Sequence, residues 1–225
     1  MEANRKYKDS LFTALFNEPQ NLRELYNALA DTNYGEETPI EINTLGDVLL
    51  KGIKNDISFT IDIKFVVLLE HQSTINANMP LRCLMYMARV YEKITDGDAI
   101  YNRALIKIPT PEIIVLYNGT KPFPSEQTLR LSDAYLTSDE SQSKFGSLDL
   151  TVRVVNINPG YNDELLKKSI TLNGYTAFIE HLKNLKPTKE TLYEAIKKTT
   201  KWSLSQGILN TFLVTYSHHL SPDGV

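Results

Sequence analysis

Two carboxylates and one amide in the first third of the chain have the types and spacing of a divalent-cation site. Asp56 begins a segment of alternating polarity, Glu70 ends the most apolar segment of the chain, and Gln72 follows two residues later. If the two segments pair as a hairpin, Asp56 and Glu70 lie close together, and residues 70 and 72 of an extended chain share one face. The backbone carbonyl of His71 and water would complete an all-oxygen ligand set, which Mg²⁺ prefers.

A site of this composition would act on phosphate esters. A bound Mg²⁺ would polarise a phosphodiester and lower the pKa of a bound water. The alternative is that each acid is an ordinary solvated residue at the end of a strand. The sequence contains no glycine-rich phosphate loop and no zinc-ligand spacing, so these acids are the main candidates for chemistry.

The strands that carry these groups are predicted from polarity. Ile57, Phe59, Ile61 and Ile63 alternate with polar residues, which is typical of a half-exposed strand, whereas residues 65–69 are continuously apolar and predict a strand covered on both faces. A turn is expected at residues 54–55. The predicted strands cover residues 47–53, 57–63, 65–69, 113–117 and 148–154.

Helical spacing predicts the remaining elements. Residues 1–30 are expected to be helical with a break at Pro19, and the chain after residue 160 is helical with breaks near Pro187 and Gly207. Between the strands, Asn78 is a plausible N-cap of a helix with Pro80 in its first turn. The stripe predicted to be buried on this helix consists of Leu81, Leu84, Met85, Ala88 and Tyr91, with Arg82, Tyr86 and Arg89 on another face.

Composition excludes several classes of protein. The 225 residues carry 24 basic and 27 acidic side chains, a net charge of −3, so a strongly basic nucleic-acid coat protein is excluded. No apolar run reaches the length of a membrane-spanning helix, and the polar N-terminus resembles neither a signal peptide nor an anchor. These features predict no membrane contact. The one cysteine, Cys83, is expected in the core and fits a reducing cytoplasm, although an extracellular protein without disulfides would look similar.

The charges are unevenly distributed along the chain. Eight acids and three lysines lie between Asp31 and Glu70, whereas eight lysines and four acids lie between Glu164 and Lys201. An acidic metal site beside basic C-terminal helices suits an enzyme that acts on DNA. A lysine-rich solvated surface explains the same counts equally well.

A long run from Leu68 to Arg82, with the sequence Leu-Leu-Glu-His-Gln-Ser-Thr-Ile-Asn-Ala-Asn-Met-Pro-Leu-Arg, is specific enough to suggest a family. Together with residues 55–59 and 86–92 it resembles the Rpn family of recombination-promoting nucleases and transposase-like proteins, within the PD-(D/E)XK nuclease superfamily. Shorter similarities at residues 107–112, 117–119 and 131–134 extend the likeness over roughly residues 5–215.

The resemblance implies metal-dependent DNA cleavage, with Mg²⁺ as cofactor and Mn²⁺ or Ca²⁺ as substitutes, in a setting of DNA recombination or phage defence. It makes Asp56 the first acidic ligand, Glu70 the second, and Gln72 the occupant of a position usually held by lysine. Glutamine is neutral and no strong base, yet it is usual in these relatives and can orient a metal-bound water. Asp9 matches a further acidic position, as a ligand through water or, in the reading we favour, a helix N-cap.

The expected fold is therefore an α/β, restriction-endonuclease-like core of αβββαβ type, a mixed sheet flanked by helices, over residues 1–158. A helical C-terminal extension follows over residues 159–225. DNA is the expected partner, with Arg82 and Arg89 as candidate phosphate contacts or else a solvated helix face. A homodimer and a regulatory protein partner are further expectations. The alternative is a catalytically weak DNA-binding or protein-interaction module on the same fold.

Overall fold

A mixed β-sheet organises the central part of the chain. The computed structural model describes residues 11–42, 56–70, 76–95, 97–136, 147–188 and 190–216. Within them, the chain forms two compact units: a sheet unit over Glu37–Asn156, and a helical unit that combines the residues up to Glu36 with those from Ile157 onward. The protein is thus of the α/β class. The expected division at residue 158 into a nuclease core and an extension stays a prediction.

The sheet has six strands in the described part of the chain, in the order β1-β2-β3-β4-β6-β5. The pairs β1–β2, β2–β3 and β5–β6 are antiparallel, and β3–β4 and β4–β6 are parallel. The strands are β1 Ile40–Ile42, β2 Asp56–Ile61, β3 Lys64–Glu70, β4 Thr110–Tyr117, β5 Glu126–Arg130 and β6 Thr151–Asn156. The helices are α1 over residues 11–16, α2 Pro19–Ala30, α3 Met79–Ile94, α4 Asp163–Lys168, α5 Ile170–Asn184, α6 Leu192–Ser205 and α7 Asn210–Tyr216.

Helix α3 makes the crossover that the parallel pair β3–β4 requires. Its buried face packs against alternate residues of the sheet and forms one apolar cluster with them. Asn78 holds the N-cap position and Pro80 lies in the first turn, as predicted, although the Asn78 side chain makes no capping hydrogen bond. The cluster contains Phe65, Met79, Cys83, Tyr86, Met87, Val90, Ile113, Val115, Tyr117, Val152 and Val154.

The stripe predicted to be buried on α3 is wrong for three of its five residues, whereas Leu84 and Tyr91 are half-buried and Tyr91 packs against the cluster. Leu81 is 40% exposed, Met85 is 51% exposed, and Ala88 is exposed as well, whereas Tyr86, assigned to another face, is buried. The buried residues Met79, Cys83, Tyr86 and Val90 recur at the same helical spacing as the predicted stripe. The helix therefore has two apolar faces, and periodicity alone does not decide which one meets the sheet.

The hairpin differs from its prediction in two respects. Strand β2 ends at Ile61, and the chain reverses through Asp62, whose φ is 53°, and Ile63, which is 68% exposed in the turn. Ser58, predicted on the polar side of the strand, is buried, and its hydroxyl accepts a hydrogen bond from Tyr86 that satisfies it there. The strand predicted over residues 47–53 and the turn at 54–55 lie outside the described residues.

The other strands follow the apolar runs more closely. The buried strand predicted over residues 113–117 is confirmed within β4, and β6 begins at Thr151 rather than at Leu148. Strands β1 and β5 were not predicted, because three residues are too few for a pattern and the sequence of β5 is polar.

The helical unit is held together by aromatic packing and by one shared carboxylate. The ring of Phe12 lies 4.7 Å from that of Phe16 and 5.5 Å from that of Tyr175. Glu24 on α2 accepts hydrogen bonds from the Ser169 hydroxyl and the Thr171 amide, so a negative charge lies at the N-terminus of α5. In the described part of the chain, no helix combines the length and apolarity needed to cross a membrane.

Candidate metal centre

The register of β2 and β3 determines how close the two candidate acids come. The strands form an antiparallel hairpin in which Asp56 is paired with Leu69, the residue before Glu70. Both acids therefore lie at the end of the hairpin away from the turn, which we call the open end. The pairing on which the predicted site depends is present.

Asp56 and Glu70 are offset by one position in this register, because the ladder places residue 69, not residue 70, opposite residue 56. Successive residues of a regular strand belong to opposite faces of a sheet. Joint binding of one ion therefore requires that one strand depart from regular pleating at the open end. A β-bulge next to an active site is one form of such a departure, whereas the described ladder is regular up to the pair Asp56–Leu69.

The open end also lies at the carboxyl end of a parallel pair. Glu70 is paired with Leu116 of β4, and β4 ends at Tyr117, which is followed by the buried Asn118. In open α/β sheets, ligands bind outside the carboxyl ends of the parallel strands. The position of Glu70 in the fold is thus one where binding residues commonly gather.

The other predicted members of the site lie outside the described residues. These are Gln72, the His71 carbonyl and Asp9. Among the residues that the structure describes, no group of three or more His, Cys, Asp and Glu side chains could hold a metal ion. The roles of Asp56 and Glu70 as metal ligands and of Gln72 as a catalytic residue stay predictions.

Gln72 occupies a position that the resemblance assigns to lysine, and no positive charge on β3 takes the place of that lysine. Lys64 begins this strand and is ion-paired with Glu112 on β4. Glu70 lies six positions after Lys64, which is about 20 Å along an extended strand. Lys64 therefore stabilises the far end of the sheet.

Arg82 and Arg89 both lie on α3, seven residues apart and so at nearly the same angle around the helix. Arg82 is half-buried and Arg89 is exposed. Neither is part of the face that packs on the sheet. Their contact with DNA stays a prediction.

A buried polar pair close to Asp56 was missed from the sequence. The Tyr86 hydroxyl donates a hydrogen bond to the Ser58 hydroxyl at an oxygen–oxygen distance of 3.0 Å, and both residues are buried. Ser58 lies two residues after Asp56, so the bond joins α3 to β2 beside the open end. The available signal was weak: a serine in a strand of alternating polarity, and a tyrosine on the next helix.

We expect this hydrogen bond to contribute measurably to folding. Tyr86→Phe should lower the free energy of unfolding by about 1 kcal/mol, the usual net contribution of such a bond. A double-mutant cycle with Ser58→Ala, followed by urea unfolding, should give a coupling of similar size. The control is Tyr101→Phe, because the Tyr101 side chain is 85% exposed and its change should be neutral. A coupling near zero would contradict the role assigned to the pair.

The case for a metal centre therefore depends on the hairpin register, on the position of Glu70 beside β4, and on the residue types at the open end. The likeness to Rpn nucleases depends on the residues quoted above for it. The sequence matches no protein-family model, and no curated protein or solved structure matches it either.

Proposed function

We propose that this chain is a metal-dependent DNA endonuclease of the PD-(D/E)XK type that uses Mg²⁺. The observation that carries the proposal is the β2–β3 hairpin, whose open end holds residues 56 and 70 at the carboxyl end of β3, one position apart in the register. The resemblance of residues 68–82 to Rpn nucleases supports the same assignment.

The donor set fits a hard cation. Two carboxylates, from Asp56 and Glu70, and the His71 carbonyl offer oxygen atoms only, and Mg²⁺ is commonly held by one or two carboxylates with several waters retained. When bound, the ion supplies polarisation of the phosphodiester and a water of lowered pKa. Asp56 and Glu70 would hold it in place, and the Gln72 amide would orient the attacking water by hydrogen bonding.

The neutral side chain of Gln72 limits what the protein itself contributes to the reaction. An amide takes up no proton at ordinary pH, so it cannot replace a general base. Lys64 is engaged with Glu112 at the other end of β3, so this lysine does not serve as the base either, and in this proposal the ion would activate the water. We infer modest intrinsic activity that follows the supply of divalent cation.

The proposed substrate is DNA, with Arg82 and Arg89 as candidate phosphate contacts. Of these, Arg89 has the more exposed side chain. We further propose the cytoplasm as the location, because Cys83 is buried and is the one cysteine of the sequence, so no internal disulfide can form.

The test is plasmid nicking in the presence of Mg²⁺ or Mn²⁺. We expect the wild-type chain to nick supercoiled DNA, and Asp56→Ala and Glu70→Ala to lose this activity. Glu194→Ala removes an exposed carboxylate on α6 and is the matched control that should retain full activity. Equal cleavage by the wild type and both site variants would refute the site. DNA binding without cleavage by any form would favour the non-catalytic module.

A further inference from the structure

Strand β5 is an edge of the sheet and is largely exposed. Within the described residues it pairs only with β6, and all its residues except Leu129 are exposed. An edge strand presents a row of backbone N–H and C=O groups that can pair with another chain.

The hydrogen bonds at both ends of β5 show which residues present these groups. The Asn156 amide donates to the Ser125 carbonyl at 2.8 Å, and the Leu131 amide donates to the Leu150 carbonyl at 2.9 Å. Backbone N–H and C=O groups of successive residues in an antiparallel strand point to alternate sides. The backbone groups of the odd-numbered residues of β5 therefore point towards β6. The backbone groups of Glu126, Thr128 and Arg130 therefore face away from the sheet.

These three residues are self-complementary about Thr128. A two-fold axis beside Thr128 places it opposite its own copy and places Glu126 opposite Arg130 of the second copy. Opposite charges at directly facing positions stabilise an antiparallel pair. The same register brings every outward-facing backbone group of one strand opposite a partner on the other.

We propose that β5 pairs antiparallel with β5 of a second copy of this chain, so that one continuous sheet runs through a homodimer. The register is centred on Thr128. This interface is independent of the proposed nuclease activity, since it uses the opposite edge of the sheet from β1 and β2.

Ion pairs already present on β5 extend across the proposed interface. Arg153 on β6 donates two hydrogen bonds to the Glu126 carboxylate, at 2.6 and 3.2 Å. Arg130 lies 3.8 Å from a carboxylate oxygen of Asp149. Joining two copies would give a row of alternating charge, from Arg153 through Glu126 to Arg130 and Asp149 of the second copy. Networks of this kind contribute more than isolated surface pairs.

Other pairings fit less well. Shifting the register by two residues removes the facing charge pairs, and shifting it by four places Glu126 or Arg130 opposite its own copy. The other edge strand, β1, has the sequence Ile-Glu-Ile, and a two-fold at its centre opposes Glu41 to Glu41. Like charges at facing positions are destabilising. The charges thus favour one edge and one register.

The test is sedimentation equilibrium of the full chain over a wide range of concentration. We expect the wild type to pass from 25.6 kDa to twice that mass as concentration rises. Thr128→Pro should remain monomeric and folded, because the Thr128 amide faces away from β6 and its removal leaves the existing sheet intact. Circular dichroism checks the fold.

Charge reversal distinguishes this register from any other interface. Glu126→Arg and Arg130→Glu should each weaken self-association about tenfold, because like charges then face each other. An equimolar mixture of the two variants should recover dimerisation, since opposite charges face each other only in the heterodimer. Asp133→Lys reverses an exposed charge just beyond β5 and is the control that should dimerise normally.

Two results would overturn the proposal. A wild-type chain that stays monomeric at every concentration excludes the homodimer, and would leave the β5 edge to a strand of another protein. A dimer that persists in Thr128→Pro and in both charge variants must use a different surface.

Discussion

At low Mg²⁺ concentration, the double variant Asp56→Asn/Glu70→Gln is expected to cleave DNA no more slowly than either single variant. The cleavage rate of each of the three variants should be about a hundredfold to a thousandfold below that of the wild type. A loss of this size is typical when one electrostatic contribution to a transition state is removed. The reason is that both carboxylates act through one bound ion. Once either is lost the ion is poorly held, and the second change removes little more. Chelation of the divalent ion should give the same low rate.

The measurement is the initial rate of plasmid nicking as a function of Mg²⁺ concentration. Higher Mg²⁺ should partly restore a single variant, because the remaining carboxylate still binds the ion weakly, and should restore the double variant least. Glu194→Gln is the isosteric control on α6. If the losses of the two single variants multiply in the double variant, Asp56 and Glu70 act independently and a shared ion is refuted.

The largest loss of stability is expected for Phe65→Ala. Phe65 is 1% exposed, and it belongs to the cluster that α3 forms with the sheet. Truncation of a buried phenylalanine costs about 3–5 kcal/mol, from lost apolar burial and from the cavity that remains. That is a large share of the roughly 5–15 kcal/mol that holds a typical domain folded.

Urea unfolding followed by circular dichroism would measure this change. The matched control is Ile63→Ala, two residues earlier, because Ile63 is 68% exposed in the turn. This control should change the free energy of unfolding by no more than about 0.5 kcal/mol. Similar losses for both variants would contradict the packing described around α3.

The sequence predicts the centre of the sheet better than its edges. Strands β3 and β4 are parallel neighbours, so their apolar runs are long and easily recognised. Strand β5 reads Glu-Gln-Thr-Leu-Arg and carries little apolar signal, because an edge strand buries few side chains. Strand β5 forms because its backbone pairs with β6, a contact that local sequence patterns do not reveal.

Helix α3 shows a second limit of sequence patterns. Its existence and start were predicted, but its buried face was not, because Leu81 and Met85 repeat at the same spacing as Cys83 and Met87. For the candidate site, the hairpin that brings Asp56 and Glu70 together was anticipated from polarity. The bond between Tyr86 and Ser58 was not, since it joins residues that are 28 positions apart.

The two-residue turn at Asp62 and Ile63 has a consequence for which length changes this chain tolerates. Asp62 adopts a φ of 53°, a conformation that aspartate accepts more readily than most residues. An extra residue here would slide β2 against β3 and move Asp56 away from its place beside Glu70, about 17 Å from the turn. An extra residue in the irregular segment 32–35 would change no strand pairing. Natural length variation should therefore be absent from the turn.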